Sequence, residues 1–302
     1  MEIALKIDVD THRGLEEGVP RMARALASAG VTASFYIAMG PDNSGRALMR
    51  VFKNRGFAGK MMRTRAVSMY GLRTILSGTL LPSRPIALAL PGIVRSLADA
   101  GFEVGVHGYD HVRWQDRIDD LDEAEIRSEL EEAFEAYRAI FRESPRGFAA
   151  PGWRTNAIAM KLLDRMGLLY RSDTRGTAPY RCCIEGATFD TPEIPTTLPT
   201  LDEVLNRPGL DDTASIVRFY MDRMSPESLN VHTVHAETEG MQQLDCFVAL
   251  VRAASERGAR FVRLADFAAG LKRDELPRGE VIRTTLEGRA GWISAQAPNA
   301  AR

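Results

Sequence analysis

Residues 1–38 read MEIALKIDVDTHRGLEEGVPRMARALASAGVTASFYIA and predict a strand, a helix and a second strand joined by short loops. The run Ile3 to Val9 is apolar except for Lys6 and Asp8, which is typical of a buried strand. Val19 to Ala29 has helical periodicity and is followed by a glycine, a common helix terminator. Val31 to Ala38 is rich in β-branched and aromatic residues. This order is typical of a parallel sheet or a barrel.

The same alternation continues along the chain, with about seven short strands separated by helices. It predicts one α/β catalytic domain over residues 1–272, an irregular (β/α)7-type barrel with its chemistry at the carboxyl ends of the strands. Residues 273–302 show little periodicity and are predicted to be a C-terminal tail. The further predicted helices are Ile93–Ala100, Leu121–Phe141, Thr155–Met166, Phe247–Glu256 and Leu264–Leu271; the strands are Phe102–Val106, Gly147–Ala150, Leu168–Ser172, Glu193–Pro195, Leu229–Val234 and Arg260–Arg263; and His107–Trp114 is a loop.

The composition is that of a soluble globular protein. Of 302 residues, 45% are hydrophobic and 26% charged, which excludes a disordered chain, a collagen-like fibre and a polytopic membrane protein. The net charge of -1 gives no general attraction to polyanions. Three cysteines do not make a disulfide framework, and the first residues lack the features of a signal peptide. We therefore expect a cytoplasmic protein without a transmembrane helix.

One segment departs strongly from this balanced charge. Residues 43–98 contain ten Lys or Arg and no Asp or Glu, and bulky apolar side chains lie between the basic ones. The segment at about 43–92 follows the second strand as an insertion, and its composition favours contact with an anionic lipid surface. The alternative is a basic helix pair bridged to the acidic residues 116–143; a nucleic-acid interface is less favoured, since no recognition module is present. The basic residues assigned to substrate or membrane contact are Arg46, Arg50, Lys53 and Arg55.

Polar side chains follow most of the predicted strands. Two carboxylates, Asp8 and Asp10, lie two residues apart, so both can face one site. His107 and His111 have i, i+4 spacing, which on a helical turn directs both imidazoles the same way. Two histidines and one carboxylate leave a coordination position open, as in catalytic zinc sites. The second carboxylate can then take a proton from water, whose pKa a bound cation lowers.

Each part of this pattern has a plainer explanation. Asp8 and Asp10 would suit a turn and a helix N-cap, and the two histidines would suit a hydrogen-bonded loop. Considered together the positions favour a metal site, and nitrogen and oxygen ligands without thiolate suit zinc, with cobalt or manganese also accepted.

Five short stretches follow one another along the chain: I-D-V-D-T at Ile7–Thr11, H-G-Y-D-H at His107–His111, A-P-G-W at Ala150–Trp153, S-D at Ser172–Asp173 and V-H at Val234–His235. They resemble the five motifs, in order, of the polysaccharide (NodB-type) deacetylases. The resemblance extends from about residue 1 to about residue 270. It implies a deformed (β/α) barrel and a metal-dependent hydrolase that removes N-acyl groups from sugars. By position, Asp8 would be the general base and His235 the general acid, Asp173 would tune that acid, and Asp10, His107 and His111 would bind the metal.

Four further stretches resemble one branch of the family, the deformylases of an undecaprenyl-phosphate-linked formamido-arabinose. That resemblance implies a step in adding aminoarabinose to lipid A, which underlies polymyxin resistance, and a protein held peripherally at the cytoplasmic leaflet of the inner membrane. It would explain the acid-free segment, because the enzyme must meet a lipid carrier. The stretches are Gly40–Arg46, Ser172–Gly176, Ile194–Val204 and Val234–Gly240.

The chain also departs from the family pattern. The first motif often has adjacent aspartates, whereas Val9 separates them here, and the third motif often starts with Arg, where this chain has Ala149. Arg154 is predicted to supply the missing guanidinium to Asp8, and Trp153 is assigned to substrate or membrane contact. The alternatives are N-deacetylation of another glycan, allantoinase-like amide hydrolysis, and a non-catalytic module that binds the lipid carrier.

Overall fold

The protein was analysed as a computed structural model, which describes residues 1–46, 77–79, 81–205, 207–287, 289 and 291–298. Strands and helices alternate through most of this part of the chain. The strands are β1 (Glu2–Val9), β2 (Ser34–Ile37), β3 (Glu103–Val106), β4 (Gly147–Phe148), β5 (Tyr170–Arg171), β6 (Arg181–Ile184), β7 (Ala187–Thr188), β8 (Leu229–His235), β9 (Arg260–Phe261), β10 (Arg278–Thr284) and β11 (Ile293–Gln296). The α-helices are α1 (Val19–Ser28), α2 (Pro91–Asp99), α3 (His111–Arg117), α4 (Glu123–Phe141), α5 (Ala157–Asp164), α6 (Leu201–Val204), α7 (Thr213–Met221), α8 (Leu244–Glu256) and α9 (Leu264–Ala269).

Seven parallel strands form the main sheet. Its order is β5-β4-β3-β2-β1-β8, and β9 pairs with the first residues of β1. Residues 193–198 bridge the two ends: Ile194 N donates to Arg171 O on β5, and Leu198 N donates to Val231 O on β8. The predicted α/β fold, an irregular barrel of about seven strands, is confirmed.

The alternation of side chains along β1 explains how polar groups reach the interior. Ile3, Leu5, Ile7 and Val9 belong to the large apolar core that also includes buried residues of α1, α4 and α8. The residues between them lie on the opposite face of the strand. Lys6 and Asp8 are therefore inside the barrel, where both are almost completely buried.

The C-terminal residues, predicted as a tail of little periodicity, contain two strands. β10 pairs in parallel with β6 and antiparallel with β11, giving a second sheet in the order β11-β10-β6-β7. Arg175 N donates to Ser294 O, which attaches this sheet near the end of β5.

The predicted loop at 107–114 is helical in its second half. Asp110 is the N-cap of α3, and its side chain accepts from Arg113 N at 3.0 Å. The helix begins at His111 because this cap satisfies a free backbone donor of the first turn. The prediction of a loop was wrong from His111 onward, and that difference fixes the direction of one site imidazole.

Candidate active site and metal centre

The predicted site residues converge at the carboxyl ends of the central strands. Asp8 is in β1 and is the register partner of His235 in the adjacent strand β8. His107 directly follows β3, and His111 is the first residue of α3. Asp10 lies just beyond β1, and both Asp8 and Asp10 approach His107 Nε2.

Three of these side chains form a compact cluster. One ligand atom from each of Asp10, His107 and His111 lies within 4.8 Å of the other two. Asp10 Oδ1 is 3.3 Å from His107 Nε2 and 3.5 Å from His111 Nε2. Zinc ligands about 2.1 Å from a tetrahedral centre are about 3.4 Å apart, so both distances match edges of such a tetrahedron.

The hydrogen bonding of His107 tests whether a cation fits between these groups. Its Nδ1 lies 2.8 Å from the carbonyl oxygen of Ala149, a contact in which Nδ1 donates. Nε2 of that tautomer offers a lone pair toward Asp10 Oδ1, a buried atom to which the described residues give no hydrogen-bond partner. Two acceptors at this distance repel unless a cation lies between them, and so the donor set fits a divalent metal.

The charges around Asp10 favour its ionised, ligating form. Burial alone would raise the pKa of this carboxyl, but the imidazoles of His111, His107 and His235 in their protonated, metal-free forms outweigh burial and hold the pKa well below its usual value. Burial lowers the pKa of His111, which favours the neutral imidazole that a metal requires.

Asp8 lies beside this cluster, and a lysine holds it. Its Oδ2 is 3.8 Å from His107 Nε2 and accepts from Lys6 Nζ at 2.9 Å. Its Oδ1 is buried and has no hydrogen-bond partner among the described residues. One carboxylate oxygen is thus fixed and the other is free to accept a proton.

His235 faces Asp8 from β8. Burial would lower the pKa of this imidazole, but the carboxylates of Asp10, Asp202 and Asp8 outweigh it and raise the pKa to about 8. The ring packs edge-on to Trp153, with ring centroids 6.5 Å apart. His235 is therefore mainly protonated at neutral pH, as a proton donor must be.

Two residues assigned through the resemblance have other main contacts. Asp173 is fully buried, and its Oδ1 accepts from Ala150 N at 2.8 Å. Its predicted tuning of His235 stays a prediction. Arg154 donates to the carbonyl oxygens of Trp292 and Gln115, and Lys6 is a cation that contacts Asp8. The predicted role of Arg154 on Asp8 stays a prediction.

The residues assigned to substrate or membrane contact differ in their position: Trp153 is inside the protein, and Arg46 is at the surface. Trp153 is buried, donates to Thr196 Oγ1, and packs against the guanidinium groups of Arg175 and Arg289. The ring lies inside the site beside His235, a place that favours substrate contact over membrane contact, and its assignment stays a prediction. The other four assigned residues were Arg46, Arg50, Lys53 and Arg55.

Arg46 is exposed, and its Nε donates to Gly78 O. It lines an open groove of ≈ 470 Å³ that includes Asp110, the residue preceding His111. Arg50, Lys53 and Arg55 lie outside the described residues, as does most of the predicted insertion at 43–92.

Sequence reasoning missed Glu237, which shapes the loop that carries Asp10. Glu237 Oε1 accepts from Asp10 N at 3.0 Å, Thr11 N at 2.9 Å and Thr11 Oγ1 at 2.8 Å. Burial and the charge of Asp10 raise the pKa of Glu237 to about 8. The one available signal was its position two residues after His235, in a stretch with a second acid, Glu239.

Among the helices of the described residues, not one has the length and hydropathy needed to cross a bilayer.

Comparisons with known proteins agree with the geometry. The family model for polysaccharide deacetylase matches residues 2–170, more than half of the chain. A probable 4-deoxy-4-formamido-L-arabinose-phosphoundecaprenol deformylase, ArnD, of Shewanella sediminis is 34% identical over 301 residues, covering 98% of this chain and 95% of that protein. The protein of the same name in Wigglesworthia glossinidia brevipalpis is 31% identical over 286 residues, covering 94% of this chain and 98% of that protein.

The fold has a solved counterpart as well. The crystal structure of a putative polysaccharide deacetylase from Mycobacterium smegmatis superposes with a TM-score of 0.64 at 19% identity, covering 94% of both chains. The chain thus belongs to the polysaccharide deacetylase family and is a hydrolase of carbon–nitrogen amide bonds, of the deacetylase or deformylase type.

Proposed function

We propose that this protein is a metal-dependent deformylase that removes the N-formyl group from undecaprenyl-phosphate-linked 4-deoxy-4-formamido-L-arabinose and releases formate. The observation that carries the proposal is the alignment, over nearly the whole chain, with relatives named for this activity. The assembled acid, base and metal ligands give that similarity a chemical basis. The reaction would serve the modification of lipid A with aminoarabinose and hence polymyxin resistance.

Asp10, His107 and His111 are the residues that would hold the metal, and zinc suits their donor set, with cobalt or manganese as alternatives. When bound, such a cation polarises a carbonyl and lowers the pKa of water. The contact from His107 Nδ1 to Ala149 O orients one imidazole for this role.

Asp8 acts as the general base. Its free Oδ1 accepts a proton from the water that attacks the formyl carbon, while Oδ2 stays bonded to Lys6. Asp8 is almost fully buried beside the metal ligands, so the abstracted proton stays in the site until it is passed on.

His235 acts as the general acid. Its pKa of about 8 keeps a proton available at neutral pH. It lies on the neighbouring strand β8, directly opposite Asp8 in the sheet register. When the carbon–nitrogen bond breaks, His235 gives that proton to the sugar nitrogen, and formate and the amino sugar are the products.

The lipid-linked substrate implies a place at the cytoplasmic leaflet of the inner membrane. The ten basic residues between 43 and 98, unaccompanied by acids, would attract anionic lipid. Arg46 lines the same groove as Asp110, the residue before His111, so this exposed basic side chain fits such an approach.

The direct test is formate release from the formylated lipid-linked sugar by the zinc-loaded protein. His107→Ala should reduce the rate at least about 100-fold, because a cation's charge stabilisation is worth several kcal/mol. Equal release by both proteins would refute the assigned centre. Turnover of the N-acetyl analogue in place of the N-formyl substrate would indicate a deacetylase of another glycan.

Membrane association is tested separately by co-sedimentation with liposomes of anionic composition. The triple variant Arg50→Ala, Lys53→Ala, Arg55→Ala should sediment less than the wild type. A control triple variant of exposed arginines elsewhere, Arg138→Ala, Arg142→Ala, Arg252→Ala, should match the wild type. Equal sedimentation of the two triple variants would contradict the assignment.

A further inference from the structure

Lys6 is a buried cation inside the barrel that the proposed chemistry does not yet explain. It has no exposed surface, and its Nζ lies 2.9 Å from Asp8 Oδ2. Among the described residues, this carboxylate is the only group that accepts a hydrogen bond from Nζ. Burying an ammonium group is costly unless it is paired, so the burial of Lys6 depends on its contact with Asp8. A side chain tied in this way to a site residue is a candidate for a role in the site.

The surroundings of Lys6 restrict where its ammonium group can go. The aromatic rings of Tyr36 and Trp153 lie 5.6 Å and 5.3 Å from Nζ. Both rings are fully buried or nearly so. A cation over ring faces is attracted to them, which holds Nζ at the position from which it reaches Asp8.

The third family motif often begins with Arg, and here that position is Ala149, which is also buried and belongs to the same interior cluster as Tyr36. The methyl group of Ala149 cannot supply a charge to Asp8. Lys6 is two residues before Asp8 on β1, so both side chains lie on one face of the strand. The cation that faces the base thus comes from the strand of the base itself.

We infer that Lys6 is the positioning residue of the general base Asp8, an inference that rests on the proposed amide hydrolysis. Lys6 donates to Oδ2 and so fixes the rotamer of the carboxylate, which leaves Oδ1 as the oxygen that takes the proton. As the water oxygen bonds to the formyl carbon, one water proton moves to Oδ1. Lys6 keeps all its protons and gains no bond to substrate.

Formate release by Lys6→Met tests the inference, since methionine has a similar length and no charge. We expect kcat to fall about 100-fold, the lower range for a positioned base, with KM and bound zinc unchanged. Lys6→Arg should retain activity within about tenfold of the wild type. The double variant Lys6→Met, Ala149→Arg places a cation at the motif position instead, and it should recover part of the loss.

A double-mutant cycle with Asp8→Asn separates positioning from a structural role. If Lys6 acts through Asp8, Lys6→Met should have no further effect on kcat in the Asp8→Asn background. Additive losses, or a Lys6→Met enzyme with wild-type kcat, would overturn the inference. If the methionine variant does not fold, Lys6→Leu, which likewise has no donor and no charge, gives the same comparison.

The outcomes also distinguish this inference from the proposed function. No formate release by the wild-type protein would mean that the proposed function is wrong. Formate release by Lys6→Met or Lys6→Leu at the wild-type rate would mean that the function stands and that Lys6 does not position the base.

Discussion

Glu237 connects the fold to the metal site, and Glu237→Ala is expected to weaken both. The variant removes one acceptor that serves the backbone N–H groups of Asp10 and Thr11 and the hydroxyl of Thr11. Each such hydrogen bond contributes about 1 kcal/mol net, so the loss is about 3 kcal/mol in the free energy of unfolding. For a chain of this size that lowers Tm by roughly 6 °C.

The metal site should weaken in the same variant. Asp10 and Thr11 lose the group that fixes their backbone, and loss of a supporting partner typically costs 10–100-fold in metal affinity. Zinc affinity is measured by competition with a chromophoric chelator, and Tm by calorimetry of the metal-free protein. Glu237→Gln is the matched control, because its amide oxygen keeps an acceptor at the same place, and it should retain most of both properties.

A zinc affinity and a Tm of Glu237→Ala that both equal those of the wild type would refute the reasoning. A loss of Tm with an unchanged zinc affinity would mean that Glu237 supports the fold and does not position Asp10.

Three further predictions follow from single contacts. Formate release should fall about tenfold per pH unit above pH 8, because His235, with a pKa of about 8, must be protonated to act; a rate that stays level to pH 10 would contradict this. Burial raises the pKa of Glu239 from 4.5 to about 7, so the protonated form is bound more tightly by the folded state. The free energy of unfolding should then fall by up to about 3 kcal/mol as pH rises from 4.5 through 7, as urea titrations would show, and Glu239→Gln should remove that part of the pH dependence. A methyl group on Gly14 would overlap the Glu237 carboxyl, whereas one on Gly92 meets no atom within 4 Å; Gly14→Ala should therefore weaken zinc binding about tenfold and Gly92→Ala should not.

Much of the site was predictable because the fold places strand ends together. Once the first 38 residues indicate a parallel β-α-β unit, polar residues that follow the strands must gather at one edge of the sheet. That argument placed Asp8, Asp10 and His107 correctly relative to one another. The helical spacing placed His111 beside them, although the helix itself was predicted as a loop.

The supporting residues were harder to predict because their roles depend on distant contacts. Glu237 is more than two hundred residues from the backbone groups that it accepts from. Lys6 looks like an interruption of an apolar strand, and its partner is clear only once the interior face of β1 is known. Arg154 donates to the carbonyl oxygens of Trp292 and Gln115, and these contacts with distant residues have no signal in the motif that precedes it.

The C-terminal strands were also hard to predict from the sequence. β10 has no apolar periodicity in its sequence, and none of its side chains is fully buried. Its pairing with β6 comes from backbone hydrogen bonds, to which hydrophobic patterning gives no signal.

Crystals grown with zinc would show whether Asp10, His107 and His111 bind a metal together. We expect one anomalous peak about 2.0–2.2 Å from Asp10 Oδ1, His107 Nε2 and His111 Nε2, with Asp8 close by and still bonded to Lys6. Anomalous density absent from this position, with the three side chains turned away from one another, would contradict it.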